Sequence, residues 1–242
     1  MKSIRIASLA LSAVLFAAAG ARADDGGPWS GFYVGADAGL TFTSTHFALP
    51  GDTGDALLQT HSDRTTFSGG GLLGFNEQFG DIVVGVEGDF ENGTGTSSVT
   101  ACTVPDGCWT PAHDSFTTLN HLRNDFDARG RVRVGWTDGN MLFYGGAGYS
   151  YADTKLSLVG YCYNAGNPSV PLMFNFARSK NLSGFNLAAG VERALDEHFV
   201  VRAEYLYDDF GSQTYPGSAP EWNDRRISIS YGTLRVAVSY TF

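Results

Sequence analysis

Asp125-Phe126-Asp127-Ala128-Arg129-Gly130-Arg131-Val132-Arg133-Val134-Gly135-Trp136 alternates without a break. Asp127, Arg129, Arg131 and Arg133 fall on one face of an extended chain, and Phe126, Ala128, Val132, Val134 and Trp136 join Gly130 on the other. A period of two marks a β-strand with two unlike faces. The same alternation returns at the C-terminus, where Leu234, Val236, Val238, Tyr240 and Phe242 oppose Thr233, Arg235, Ala237, Ser239 and Thr241. It returns at Phe199, Val201, Ala203, Tyr205 and Tyr207, against Arg202, Glu204, Leu206 and Asp208. It returns again at Ile82, Val84, Val86 and Phe90, against Val83, Gly85, Glu87 and Asp89. Weaker cases at 32–42, 67–78, 141–153 and 181–195 complete an expected set of eight strands.

The connections alternate as well. Phe79-Gly80-Asp81, Thr137-Asp138-Gly139-Asn140 and Asp196-Glu197-His198 are tight-turn sequences. The other four connections, 43–64, 92–121, 154–180 and 210–226, are long and rich in Gly, Ser, Thr, Pro and Asp. Loops of that length are uncommon in compact soluble domains. Short turns alternating with long loops suit an outer-membrane β-barrel, with turns in the periplasm and loops outside the cell.

Charge decides which face is inside. Asp37, Glu87, Asp89, Asp127, Arg129, Arg131, Arg133, Glu192, Arg202, Glu204 and Arg235 all lie on polar strand faces. The opposite faces carry rings at both ends and small or aliphatic residues between them. Phe32, Phe75, Trp136, Phe199 and Phe242 sit near the turn ends, and Phe42, Phe67, Phe90, Tyr205 and Tyr207 near the long-loop ends. Two aromatic bands are what two membrane interfaces demand. The charges then point into a lumen that eight strands make just wide enough for side chains to fill. Buried charges need partners. Glu87 and Asp89 are expected beside Arg129, Arg131 and Arg133, Glu192 beside Arg202 and Glu204, and Arg235 beside Asp37 if the barrel closes. Such a lumen is either a polar plug or a charged path for ions. Inward Gly35, Gly39, Gly85 and Gly135 are expected to leave room for the long charged side chains.

Composition agrees with this reading. The 242-residue chain has 31 glycines, 13% aromatic residues, 17% charged residues and a formal net charge of −9. An acidic chain is a poor nucleic-acid binder. Residues 1–23 read as a signal peptide: Lys2 and Arg5 precede an apolar run over 6–19, and Ala21-Arg22-Ala23 gives a cleavage site. The apolar run is shorter than the ~20 residues of a spanning helix. The barrel domain is expected at 24–242. Losing Lys2, Arg5 and Arg22 removes three positive charges and takes the formal net charge from −9 to −12.

Catalytic patterns are weak. None of His46, His61, His113, His121 and His198 falls on an expected strand. His61-Ser62-Asp63 holds hydrolase residue types, but adjacency is not a triad geometry. Asp208-Asp209 reads as a strand terminus. No enzyme is expected, and no metal or other cofactor. Haemin or metal capture by His46, His61, His113 and His121, joined by Tyr161, Tyr163 or Tyr215, is the one cofactor alternative. Cys102 and Cys108 flank Pro105-Asp106-Gly107, a turn sequence, and are expected to pair. Cys162 is left free, or pairs across loops.

Five segments carry a family resemblance. Trp29-Ser30-Gly31-Phe32-Tyr33-Val34-Gly35 opens the first strand, and Gly71 to Asn76 forms a glycine-rich second one. Ala128-Arg129-Gly130-Arg131-Val132-Arg133-Val134-Gly135 matches an arginine-alternating fourth strand. Glu204-Tyr205-Leu206-Tyr207 and Tyr240-Thr241-Phe242 match the last two. In this order the chain resembles the alphaproteobacterial outer-membrane immunogenic proteins, within the opacity-like and OmpA-type eight-stranded barrels. The resemblance implies a barrel in the bacterial outer membrane with a structural or cell-surface role, variously porin-like, adhesive or haemin-binding, and no shared catalytic residues. It implies that terminal Phe242 is read by the outer-membrane assembly machinery. Outer-membrane lipid and lipopolysaccharide are the other expected partners. A narrow porin or small-ligand binder is the alternative function.

Overall fold

A computed structural model describes residues 28–48, 60–92, 96–102, 115–163, 172–215 and 225–242. The expected signal peptide, 1–23, lies outside them. The strands are β1 (Gly31–Ala48), β2 (Thr60–Phe79), β3 (Ile82–Asn92), β4 (Thr96–Cys102), β5 (Ser115–Asp138), β6 (Met141–Tyr163), β7 (Leu172–Ala194), β8 (Phe199–Tyr215) and β9 (Arg225–Thr241). All ladders are antiparallel. The order is β3-β2-β1-β9-β8-β7-β6-β5-β4, and a β3–β5 ladder closes the sheet on itself. β3 pairs with residues 126–136 of β5, while β4 pairs with 117–123. These two strands share one place in the wall, so the barrel has eight staves. The described residues contain no helix.

The turns are built as their sequences require. Gly80 and Gly139 take positive φ, 62° and 59°, where a side chain would be strained. In the third turn the Asp196 carboxylate accepts the backbone N–H groups of Phe199 (2.7 Å) and His198 (2.8 Å). These two bonds hold its carboxyl below the usual carboxylate range.

The strands run much further than expected. β5, β6 and β7 have 24, 23 and 23 residues. A tilted strand crosses a bilayer in ~9–11 residues, so about half of each stands beyond the membrane. Much of the expected long loops 43–64, 92–121, 154–180 and 210–226 is therefore strand. The physical reason lies in the sign of the alternation. On β9, Leu234, Val236, Val238, Tyr240 and Phe242 face outward, while Thr233, Arg235, Ala237, Ser239 and Thr241 face in. Seven residues earlier the order is reversed. Ile227, Ile229 and Tyr231 face in and are no more than 1% exposed, with Ser228 and Ser230 on the outside. No bulge intervenes in β9 between the two regimes on its β1 ladder. The lower half is apolar outside, as lipid requires. The upper half is apolar inside, as water requires.

That upper core consists of Leu122, Ala152, Leu156, Leu182, Phe210, Ile227, Ile229 and Tyr231. Burying each large apolar side chain contributes roughly 1.5–3 kcal/mol. A bulge between Asn124 and Phe126 brings Leu122 and Asp127 of β5 to the same interior face. On β8, Gly211 takes φ 62° and ends the regular ladder at Asp209. There β8 approaches β7 so closely that a Cβ on Gly184 would sit 2.9 Å from the Phe210 Cα. At the turn end, Trp29, Val83, Leu142, Tyr144 and Val200 close the lumen with a second apolar cluster.

Of the cysteines, Cys108 lies outside the described residues. Cys102 and Cys162 stand opposite Thr117 and Phe116 on the two sides of β5. Two strand spacings, about 9.6 Å, separate such positions, more than the ~7 Å a disulfide spans between Cα atoms.

Candidate functional site

The feature with the most chemistry is the lumen of the lower half. Alternation directs every second side chain inward, and the antiparallel register sets opposite charges on neighbouring strands. Glu87 pairs with Arg131 across β3–β5, Asp89 with Arg129, Glu192 with Arg202 across β7–β8, and Glu204 with Arg235 across β8–β9. Burial of an unpaired charge costs several kcal/mol, so these registers and these charges require one another.

Glu87 is the hub. Its carboxylate accepts hydrogen bonds from Tyr33 Oη (2.6 Å), Arg133 Nη1 (3.1 Å) and both Nε and Nη2 of Arg131, and pairs with Arg202 Nη2 at 2.7 Å. Glu192 joins Arg133 (2.8 Å) to Arg202 (2.6 Å). The Arg133 guanidinium lies 4.0 Å from the centre of the Tyr144 ring, and Tyr144 Oη donates to Glu204 at 2.6 Å. Arg235 donates from Nε to Glu204 (2.7 Å) and reaches Asp89 (3.2 Å). Nearer the loop end, Arg129 donates to Asp89 (3.0 Å), Glu91 (2.7 Å) and both oxygens of Asp208 (3.1 and 2.9 Å). Asn186 (2.8 Å) and Ser150 also donate to Asp208. Asp37 stands 3.6 Å from Arg235, and Asp127 3.8 Å from Arg129.

All eleven expected lumen charges, Asp37, Glu87, Asp89, Asp127, Arg129, Arg131, Arg133, Glu192, Arg202, Glu204 and Arg235, are buried in one connected cluster. Sequence reasoning passed over Glu91, Tyr33, Tyr144, Ser150 and Asn186 as network members, and placed Asp208 on the polar face of its strand without joining it to the charge network. Their signal was available. Glu91 lies two residues beyond Asp89 and Asp208 shares the parity of Arg202 and Glu204, so both point inward. With them, eight buried carboxylates surround five arginines, and any path through the lumen would favour cations.

Glycine works differently from the expectation. A Cβ on Gly35, Gly85 or Gly135 would meet Ser239, Asn76 or Leu142 side chains and neighbouring backbone rather than long charged groups; only Gly39 lies against an arginine, 2.7 Å from the Arg235 Cβ. The space that matters most is at Gly74 and Gly190. Each lies beneath a neighbouring tyrosine, Tyr33 and Tyr144, and at Gly190 a Cβ would stand 2.7 Å from the Tyr144 Oη. Gly148 similarly admits Arg131.

The ten girdle residues, Phe32, Phe75, Trp136, Phe199, Phe242, Phe42, Phe67, Phe90, Tyr205 and Tyr207, all face outward. Phe79, Phe143, Tyr149, Tyr151, Phe185 and Tyr240 are further exposed outer rings. Phe32 and Phe75 pack at 4.8 Å across β1–β2, and Phe199 and Tyr240 at 5.4 Å across β8–β9. Rings at such spacing prefer tilted or edge-on contacts.

The histidines correct the expectation. His46, His61 and His121 lie on β1, β2 and β5, because these strands continue beyond the membrane. His198 is in a turn, and His113 lies outside the described residues. His46 and His61 are directly opposed, with ring centres 4.3 Å apart, and Asp63 Oδ2 lies 2.8 Å from His61 Nε2. Tyr161, Tyr163 and Tyr215 fall at the far ends of β6 and β8. Among the described residues no group of three or more His, Cys, Asp or Glu could hold a metal ion.

Known proteins are similar to this chain. The chain is 26% identical over 265 residues to the 31 kDa outer-membrane immunogenic protein of Brucella melitensis, covering all of both chains. It is 30% identical over 194 residues to the 22 kDa outer membrane protein of Rhizobium leguminosarum, covering 78% of this chain and 68% of that one. The crystal structure of the outer membrane protein OprG from Pseudomonas aeruginosa is similar at 13% identity and a TM-score of 0.48, covering 88% of this chain and 98% of that one. Residues 7–242 match the outer membrane protein beta-barrel domain, and with an inverted, eight-staved barrel of this kind the chain belongs to that family of outer-membrane proteins.

Proposed function

We propose that the protein is a closed barrel with a structural and cell-surface role, which anchors a stiff β-extension and its connecting segments at the outside of the cell. The observation that carries this reading is a lumen filled twice. A network of buried arginines and carboxylates occupies the lower half, and an apolar cluster occupies the upper half. Among the described residues, each buried carboxylate of the lumen lies within 4.0 Å of an arginine nitrogen. An enzymatic role finds no support in the candidate pairs. Asp208 is taken up by Arg129, while Asp209 accepts the Gly211 N–H at 2.7 Å. Ser62 is one residue from both His61 and Asp63, so strand alternation sets it on the other face. In this reading the aromatic belts meet lipid and lipopolysaccharide, and Phe242 serves recognition by the assembly machinery.

Planar-bilayer recordings test it. The refolded protein is expected to give no stable open steps. The competing narrow-pore reading forecasts steps of uniform size with cation selectivity, from eight carboxylates against five arginines. Observing such steps would contradict the closed barrel.

A further inference from the structure

We propose that His46 and His61 form a surface site for a divalent first-row transition-metal ion such as Zn2+, Cu2+ or Ni2+ on the outer extension of the barrel. The two residues are cross-strand partners on β1 and β2, and both side chains face out. Their spacing is therefore set by a ladder, not by a loop. β1 is held on its other edge too, where His46 stands opposite Ser228 of β9. The rings pack against each other, with centres 4.3 Å apart and planes tilted by 41°.

Two neighbouring imidazoles on one outer face suit one hemisphere of a small ion, with metal–nitrogen bonds of about 2 Å. They cannot both ligate one haem iron, whose two axial positions lie on opposite faces of the porphyrin. The geometry therefore favours a bare metal ion over haemin held by this pair of histidines. Asp63 supplies the second element. Its Oδ2 is 2.8 Å from His61 Nε2, which favours the tautomer with the proton on Nε2 and leaves the Nδ1 lone pair for a metal. A carboxylate behind a ligating histidine is the usual way a metal site fixes ring orientation. The surrounding wall is small and polar: Ser44 stands opposite Asp63 and Ser228 opposite His46. Among the described residues no third protein ligand joins the pair, and water fills the remaining positions of the shell. The imidazole donor set selects zinc, copper or nickel over magnesium or calcium.

The test uses the untagged mature protein refolded in detergent, with Zn2+ followed by calorimetry and Cu2+ by electron paramagnetic resonance. Wild type is expected to bind one Zn2+ per chain and to show two nitrogen ligands on Cu2+. His46→Ala and His61→Ala are each expected to weaken Zn2+ binding at least tenfold and to remove one nitrogen from the copper spectrum. His198→Ala, in a turn at the other end of the barrel, is expected to bind as wild type does. All three residues are outside the packed interior, and the shift in gel migration on heating verifies that each variant folds. Absence of saturable binding in the wild type overturns the proposal, and so does unchanged binding in both His46→Ala and His61→Ala.

Discussion

Val238→Arg is expected to destabilise the folded barrel by about 2–4 kcal/mol, the cost of an arginine at the bilayer midplane on a barrel's lipid face. In a soluble protein this would be a mild change, because Val238 is 51% exposed. Here the exposure is to lipid. Val238 is the centre of the outward run Leu234, Val236, Val238, Tyr240 and Phe242. Its partners, Ala36 on β1 and Val201 on β8, continue the apolar wall. Ser228→Arg is the control. It lies on the same strand and the same outer face, but beyond the inversion of the alternation, and is expected to stay within about 0.5 kcal/mol of wild type. Denaturant-dependent folding into vesicles measures both. Equal effects at the two positions would mean that the two halves of β9 share one solvent.

Glu87→Ala is expected to cost about 3–5 kcal/mol, the range for breaking a buried ion pair by removing one partner. Glu87 accepts from Tyr33 and contacts Arg131, Arg133 and Arg202. Removing it leaves Arg133 and Arg202 to share Glu192, and Arg131 to rely on Asp89 and, with Arg202, on the more distant Glu204. The contrasting case is Asp125→Ala at the outer surface. Asp125 is held by Lys155 and Arg123, and the Lys155 hydrogen bond in particular holds its carboxyl below the usual range. Exposed pairs of this kind contribute about 0–1 kcal/mol. Unfolding midpoints of the two variants, compared in the same vesicles, separate a packed lumen from a hydrated one. A Glu87→Ala variant as stable as Asp125→Ala would indicate that water already solvates the charges.

The two halves of the barrel were unequally legible in the sequence. In the lower half, parity alone was enough: Arg129, Arg131 and Arg133 oppose Val132, Val134 and Trp136, and charge cannot face lipid. The same rule extends to Glu91, which was passed over because it stands where the apolar pattern on the other face was fading, and to Asp208, whose parity was read but whose place at a strand end hid its part in the network. In the upper half the period stays at two while its meaning reverses. Ile227-Ser228-Ile229-Ser230-Tyr231 is as regular as Leu234-Arg235-Val236-Ala237-Val238, yet its apolar residues point inward. A search for one face running the whole length of a strand ends where the faces exchange roles, and takes the rest for loop. On β5 the bulge near Asp125 adds a second obstacle, because it breaks the count by one residue. The pairing of His46 with His61 depended on β1 and β2 continuing past that point, so it was invisible while both lay in an expected loop.

The exchange of faces between Tyr231 and Leu234 on β9 is the centre of the account, and amide signal attenuation in nuclear magnetic resonance tests it most directly. The protein is placed in lipid nanodiscs and exposed separately to a water-soluble gadolinium chelate and to spin-labelled lipid. The account predicts that the chelate attenuates amides over 226–230, that the lipid label attenuates those over 234–240, and that the crossover falls at 231–234. Lipid-label attenuation extending through 226–230, or chelate attenuation reaching 236–238, would contradict it.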